Sequence, residues 1–180
     1  MNHFHLVTGG QRSGKSRFAQ QTCEILSEQK AVSPVYLATA HRDGEADFEL
    51  RIARHQQERG EQWQTKELLA GLDECRFSAG QVVMLDCITL WLSQIFFQKN
   101  SDVDMSMAEA KRQWSVFIEQ PVHLVAVTNE IGMGVIPMEP LSRRFVDLQG
   151  WMNQWLASQA NCVDFMVSGL PMNIKGKSAE

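Results

Sequence analysis

Five stretches of the chain are apolar at consecutive positions rather than alternate ones: FHLVTG, PVYLATA, QVVMLDCIT, VHLVAVTN and DFMVSG. A strand that is apolar on both faces needs cover on both, which is the situation of an inner strand in a parallel sheet. Between these runs lie segments compatible with helices, at 18–29, 47–58, 90–98, 105–119 and 141–159. The alternation predicts an α/β fold, a mostly parallel sheet with helices on both faces. Residues 99–104 are polar and acidic between two helical segments and predict a mobile loop, while the charged, small residues 175–180 are expected to fray.

Length and charge narrow the function. The 180 residues suit one domain, 1–180, with a core that needs no metal or disulfide staple. A formal charge of -4 gives no basic field, so neither nucleic acid nor an anionic membrane is an expected partner, and a small polar substrate fits better. Cys23, Cys75, Cys87 and Cys162 form no zinc-type cluster and read as reduced, mostly packed thiols. The first residues, MNHFHLVTGG, lack a basic leader and an apolar h-region, and no apolar run is long enough to span a bilayer, so stable membrane insertion is not expected and a cytoplasmic location is.

The first run ends in candidate chemistry. Gly9-Gly10-Gln11-Arg12-Ser13-Gly14-Lys15-Ser16 fits GxxxxGK[ST], placed after a strand and before a helix as a phosphate-binding P-loop requires. Glycines let backbone N–H groups turn toward phosphate oxygens, and the next helix adds the positive end of its dipole. Lys15 would meet the terminal phosphates and the Ser16 hydroxyl would ligate Mg²⁺. The bland alternative is a glycine-rich turn that binds nothing. Phosphoryl transfer also needs a carboxylate to hold the metal at the end of a second buried strand; Asp86, closing VVMLD, offers one, although such an acid also serves as a helix cap or turn former. Thr89 competes for the cap of the helix that follows.

Two further segments stand out. In RIARHQQERGEQWQTKE, Arg51, His55 and Arg59 share one face of the expected helix, a face that could grip phosphate. His55 is either a solvent-facing histidine on a charged helix or, with its ring kept neutral by the neighbouring arginines, a nucleophile. VTNEIGMGVIP opens at a strand end with Asn129 and Glu130, where polar groups face the ligand crevice of an open α/β sheet, and leads into a helix bearing Arg143 and Arg144. Phe145 and Leu148 on that helix read as core rather than substrate contacts.

Taken together, TGGQRSGKS, YLATA, RIARHQQER with Trp63 and Glu67 downstream, MLDCITLWLS, TNEIGMGVIP, RRFVDLQGWMNQ and SGLP cover almost the whole chain. In that order they resemble the bifunctional adenosylcobinamide kinase and adenosylcobinamide-phosphate guanylyltransferase family of cobalamin biosynthesis. The resemblance implies a P-loop NTPase domain with a RecA-like sheet, Mg²⁺ as cofactor, ATP and GTP as co-substrates, and a homotrimer with shared clefts. By the same resemblance Gly9, Gly10, Gln11, Arg12, Ser13, Gly14, Lys15 and Ser16 bind nucleotide phosphates, and Ala38, Thr39 and Ala40 form a further nucleotide-contacting turn. Gln56, Gln57, Glu58, Arg59, Glu67 and Asp86 match GTP-site positions, and His55 matches the histidine that accepts GMP. The implied catalytic residues are therefore His55 and Lys15, with Ser16 and Asp86 for the metal.

The implied reactions are phosphorylation of the aminopropanol hydroxyl of adenosylcobinamide by ATP or GTP, then GMP transfer from GTP to the resulting phosphate, giving adenosylcobinamide-GDP and pyrophosphate. Two other functions are compatible with the residues: a P-loop kinase for another small alcohol, in which His55 only contacts phosphate, and a nucleotide-binding regulatory module. Adenosylcobinamide with GTP separates the three by product.

Overall fold

A computed structural model describes residues 3–39 and 60–177. The expected helix at 47–58 lies outside these residues, and so do Ala40, Arg51, His55, Gln56, Gln57, Glu58 and Arg59. The described chain runs β1 (His3–Gly9), α1 (Lys15–Lys30), β2 (Val35–Ala38), β3 (Gln64–Glu67), a 3-10 turn (Leu72–Glu74), β4 (Val82–Asp86), α2 (Ile88–Gln98), α3 (Val103–Ile118), β5 (His123–Val127), α4 (Pro140–Gln159), β6 (Cys162–Val167) and β7 (Leu170–Lys175). The strands form one sheet in the order β3-β2-β4-β5-β1-β6-β7, parallel throughout except that β7 runs antiparallel to β6.

The consecutive apolar runs are explained by cover on both faces. Val7, Val82, Met84, Val125, Val127 and Met166 pack with Ala19, Cys23 and Leu26 of α1. Leu6, Val83, Leu85, Leu124 and Ala126, their neighbours in sequence, and Val163 of β6 belong to the larger core on the other face, with Trp91 and Phe96 of α2, Trp114 and Phe117 of α3, and Leu148, Met152 and Leu156 of α4. Each inner strand thus sends alternate side chains into two separate cores. Leu148 is buried and Phe145 packs against the same core, as expected.

Three local expectations are corrected. Of residues 99–104, 103 and 104 already belong to α3 and 99–102 are a tight helix-to-helix connection: Asn100 and Ser101 are left-handed at φ 54° and 60°, the Ser101 amide donates to the Phe96 carbonyl at 2.8 Å, and Asp102 caps α3 by accepting from the Met105 amide at 2.8 Å. Lys175 is the last residue of β7 rather than part of a frayed end, and its ammonium donates to the carbonyls of Ala157 and Ser158 at 2.9 Å each. Thr89 does not cap α2, whose cap position is Cys87; its hydroxyl accepts from the Asn129 amide at 3.0 Å and ties α2 to the end of β5.

Strands β3 and β7 were not expected. QTKE carries no apolar side chain and is exposed at all four positions, so its strand character comes from pairing with β2. LPMNIK contains Pro171, which an edge strand tolerates.

Candidate active site

Strand register assembles one row of residues at the carboxyl end of the sheet. Glu67 pairs with Ala38, Ala38 with Asp86, Asp86 with Val127 and Val127 with Val7. The P-loop leaves β1 two residues beyond Val7, and β5 separates its strand from the strand that ends in Asp86. A crevice outside strand ends of this kind is where open α/β sheets place their ligands.

The loop is held from below and open above. Gly9 has φ 148° and Gly14 φ 94°. A side chain at Gly9 would stand 2.6 Å from the Met166 carbonyl, whereas one at Gly10 would meet nothing within 4 Å. Gly14 sits at the N-cap of α1, which has no side-chain cap and no acidic residue in its first turn, so its first N–H groups are not consumed by a capping side chain. The Ser13 hydroxyl is buried without a hydrogen-bond partner. Open amides, a helix N-terminus and an orphaned buried hydroxyl suit an anion with several oxygens.

Lys15 is 6 % exposed, and its ammonium donates to the Gly10 carbonyl at 2.5 Å. Burial pulls its pKa below the usual lysine range, opposed by the negative charge of the nearby Asp86 carboxylate. It is a desolvated cation inside the loop, which strengthens its attraction for phosphate oxygens. Cys87 itself is buried and pushed up to about 12, so it stays a neutral thiol.

Asp86 ends β4, and its carboxylate accepts from the Tyr36 hydroxyl at 3.3 Å. Ser16 is half-buried in the first turn of α1. A carboxylate and a hydroxyl are hard oxygen donors of the kind Mg²⁺ takes, usually alongside water and substrate phosphates. The residues present therefore fit a divalent cation beside the loop.

Thr39 is completely buried, and its hydroxyl is spent inside the protein: it donates to the Cys87 carbonyl and accepts from the Cys87 amide, both at 2.8 Å. The Thr39 carbonyl accepts from the Gln94 amide at 2.7 Å. At Ala38 and Thr39 any ligand contact must come from backbone or the alanine methyl. Glu67 ends the exposed edge strand β3 at the same level. Gln11 and Arg12 are exposed on the loop, with Arg12 left-handed at φ 60°.

Two supports of the crevice were missed in the sequence. The β6–β7 turn has Ser168 at φ 52° and Gly169 at φ 85°, a two-residue hairpin turn, and the Gly169 amide donates to the Ser13 carbonyl at 2.9 Å. The dipeptide Ser-Gly followed by the alternating apolar residues Leu170, Met172 and Ile174 is the signal that could have found it. The second support is a buried polar network: Thr128 donates to Asn153 at 2.8 Å, Gln149 donates to Thr128 at 3.1 Å and to Asn153 at 2.9 Å, and Asn153 donates to the Asn129 carbonyl at 3.0 Å. This network fixes the Asn129–Glu130 corner. Arg143 and Arg144 are engaged nearby, Arg143 with the carbonyls of Pro137 at 3.0 Å and Met138 at 2.5 Å, and Arg144 with that of Ser101 at 3.3 Å.

Comparison with known proteins agrees with this geometry. The family profile described as cobinamide kinase / cobinamide phosphate guanyltransferase matches residues 5–174. The bifunctional adenosylcobalamin biosynthesis protein CobP of Pseudomonas aeruginosa is 37% identical over 175 residues, covering 96% of this chain and 97% of the relative. The protein CobU of Escherichia coli K12, with the same description, is 35% identical over 184 residues, covering 94% and 98%. That of Salmonella typhimurium LT2 is 31% identical over the same length and shares. The chain belongs to the cobinamide kinase / cobinamide phosphate guanyltransferase family.

Proposed function

We propose that this chain phosphorylates the aminopropanol hydroxyl of adenosylcobinamide with ATP or GTP and then transfers GMP from GTP to adenosylcobinamide phosphate, releasing pyrophosphate and giving adenosylcobinamide-GDP. The observation that carries the reading is the convergence of an open P-loop, a desolvated Lys15 and Asp86 at one end of the sheet, in a chain that matches the family over nearly its full length. Residues 1–180 act as one catalytic domain.

In both reactions Gly9 to Ser16 wrap the triphosphate, with Gly10 leaving the backbone accessible and the α1 N-terminus facing negative charge. Lys15 counters the charge on the transferring or departing phosphate oxygens. Ser16 and Asp86 would hold Mg²⁺, which when bound neutralises charge on the phosphates. Ala38, Thr39, Ala40, Gln56, Gln57, Glu58, Arg59 and Glu67 complete the nucleotide site. In the second reaction the neutral imidazole of His55 attacks the α-phosphorus, diphosphate leaves, and the phosphate of the substrate then takes GMP from the phosphoramidate.

The chain works in the cytoplasm as a homotrimer. No described helix is long and apolar enough to cross a membrane. The outer strand β7 exposes Leu170 at 69%, Met172 at 57% and Ile174 at 64%, a row that suits burial against another copy. The test is to supply the purified protein with adenosylcobinamide, GTP and Mg²⁺. Formation of the GDP-linked corrinoid with pyrophosphate is the expected result; a folded protein that stops at the phosphate, or makes neither product, overturns the reading.

A further inference from the structure

We infer that Glu130 is the general base of the kinase step, accepting the proton of the substrate hydroxyl as it attacks the γ-phosphorus. The inference rests on the kinase reading above and adds a residue to which that reading gives no role.

The two acceptors differ in one chemical respect. The first is an alcohol, whose proton must leave as the O–P bond forms. The second is a phosphate monoester, already ionised at neutral pH, with no proton to lose. A base beside the cradle therefore has work to do in the first reaction and none in the second.

Glu130 is placed for this. It follows β5, the strand lying between the strand of Asp86 and the strand of the P-loop. Its amide donates to the carbonyl of Gly9, the first P-loop residue, at 2.9 Å, and the preceding Asn129 amide is held by Thr89 at 3.0 Å. The backbone of this corner is thus pinned to both walls of the crevice. The carboxylate is oriented as well: one oxygen accepts from the Gly132 amide at 3.1 Å and the other faces the Asn153 amide at 3.4 Å. Two oxygens offer about four acceptor positions, so these two donors leave room for a substrate hydroxyl. The residue is only half-buried, open to an acceptor arriving from solvent.

Other described carboxylates around the crevice are otherwise engaged or remote. Asp86 is assigned to the metal, Glu67 sits three strands away on β3, and Glu139 caps α4 by accepting from the Ser142 amide at 2.7 Å. The loop just past Glu130 exposes Met133 at 74%, Val135 at 95% and Ile136 at 78%, apolar cover beside which a large, partly apolar acceptor can lie.

The step balances. The substrate oxygen bonds to the γ-phosphorus, its proton passes to the Glu130 carboxylate, and the bond from the γ-phosphorus to the bridging oxygen breaks with the electron pair leaving on the nucleoside diphosphate. The proton returns to solvent before the next turnover.

The test assays each reaction separately, with adenosylcobinamide for the first and preformed adenosylcobinamide phosphate plus GTP for the second. Glu130→Gln should lower the kinase kcat about 100-fold or more, the scale of a lost general base, while guanylyl transfer stays close to wild type. Glu130→Asp, which keeps a carboxylate, should recover part of the kinase rate. An equal loss in both reactions would make Glu130 only a support of the crevice, and an unchanged kinase rate would remove it from the chemistry; either overturns the inference. Failure of wild-type protein in both assays would instead sink the functional reading on which it rests.

Discussion

The sheet carries two groups of polar side chains among its apolar strands, and they are wired in opposite ways. Under α1, His5 of β1 meets Asp164 of β6 at 2.7 Å, Cys162 lies 3.9 Å from the same carboxylate, and Asn173 of β7 donates to Asp164 at 3.0 Å. The ligand atoms of His5, Cys162 and Asp164 lie within 4.8 Å of one another, close enough to share a metal ion. Their capacity is largely spent on each other, however, with Nδ1 of His5 left over. At the strand ends the opposite holds: the Ser13 hydroxyl is unmatched, the α1 amides have no side-chain cap, and Lys15 is desolvated with only a carbonyl as hydrogen-bond partner. Burial of polar groups alone does not mark a site; unspent capacity at an open edge does.

The contrast breaks most visibly at Lys15. Lys15→Ala should cut both phosphorylation and guanylyl transfer about 100-fold or more, the scale of losing one preorganised charge-stabilising group, with the melting temperature little changed. Loss of one activity alone would mean two separate cradles. Asp164→Asn should behave in the reverse sense. It should cost about 1–3 kcal/mol of folding stability, read as a lower urea midpoint, because the buried His5 donor and the Asn173 amide lose a charged acceptor. Activity per folded molecule should be unchanged.

A smaller effect is expected where the two regions touch. Gly169 adopts φ 85° with open space around its missing Cβ, so Gly169→Ala should cost about 1 kcal/mol through backbone strain alone. Because its amide holds the Ser13 carbonyl, nucleotide KM should rise before kcat falls.

The smallest and broadest effect is on pH. Burial holds His5, His3 and His123 below the ordinary histidine range. The unfolded chain therefore binds more protons than the native state just below the ordinary value of 6.5. Their contribution is fully present above that value and declines as pH falls from it toward the lowered native values. Urea unfolding as a function of pH should show the slope, and replacing His5 by Gln should flatten it.

Much of this was legible in the sequence because the inner strands are apolar on both faces. FHLVTG and QVVMLDCIT appear as β1 and β4, and helices expected at 90–98 and 141–159 begin at Ile88 and Pro140. What escaped was structure created by pairing rather than by burial. Gln64–Glu67 becomes a strand only because β2 supplies its hydrogen bonds, and Leu170–Lys175 only because β6 does. The P-loop was legible through its glycines and spacing, but its clamps were not. Gly169 on Ser13 and Glu130 on Gly9 are backbone contacts between residues far apart in the chain, and side-chain identity does not encode them. Thr39 shows the converse: the motif marks it, yet its hydroxyl is committed to Cys87.

If one cradle serves both reactions, direct binding shows it without relying on turnover. Labelled α,β-methylene GTP, which cannot release its diphosphate, is brought to saturation by equilibrium dialysis and challenged with β,γ-imido ATP. The expected result is one triphosphate per chain, full mutual displacement of the two analogues, and loss of both from Lys15→Ala. Two sites per chain that fill independently, or a GTP site that survives in Lys15→Ala, would contradict it.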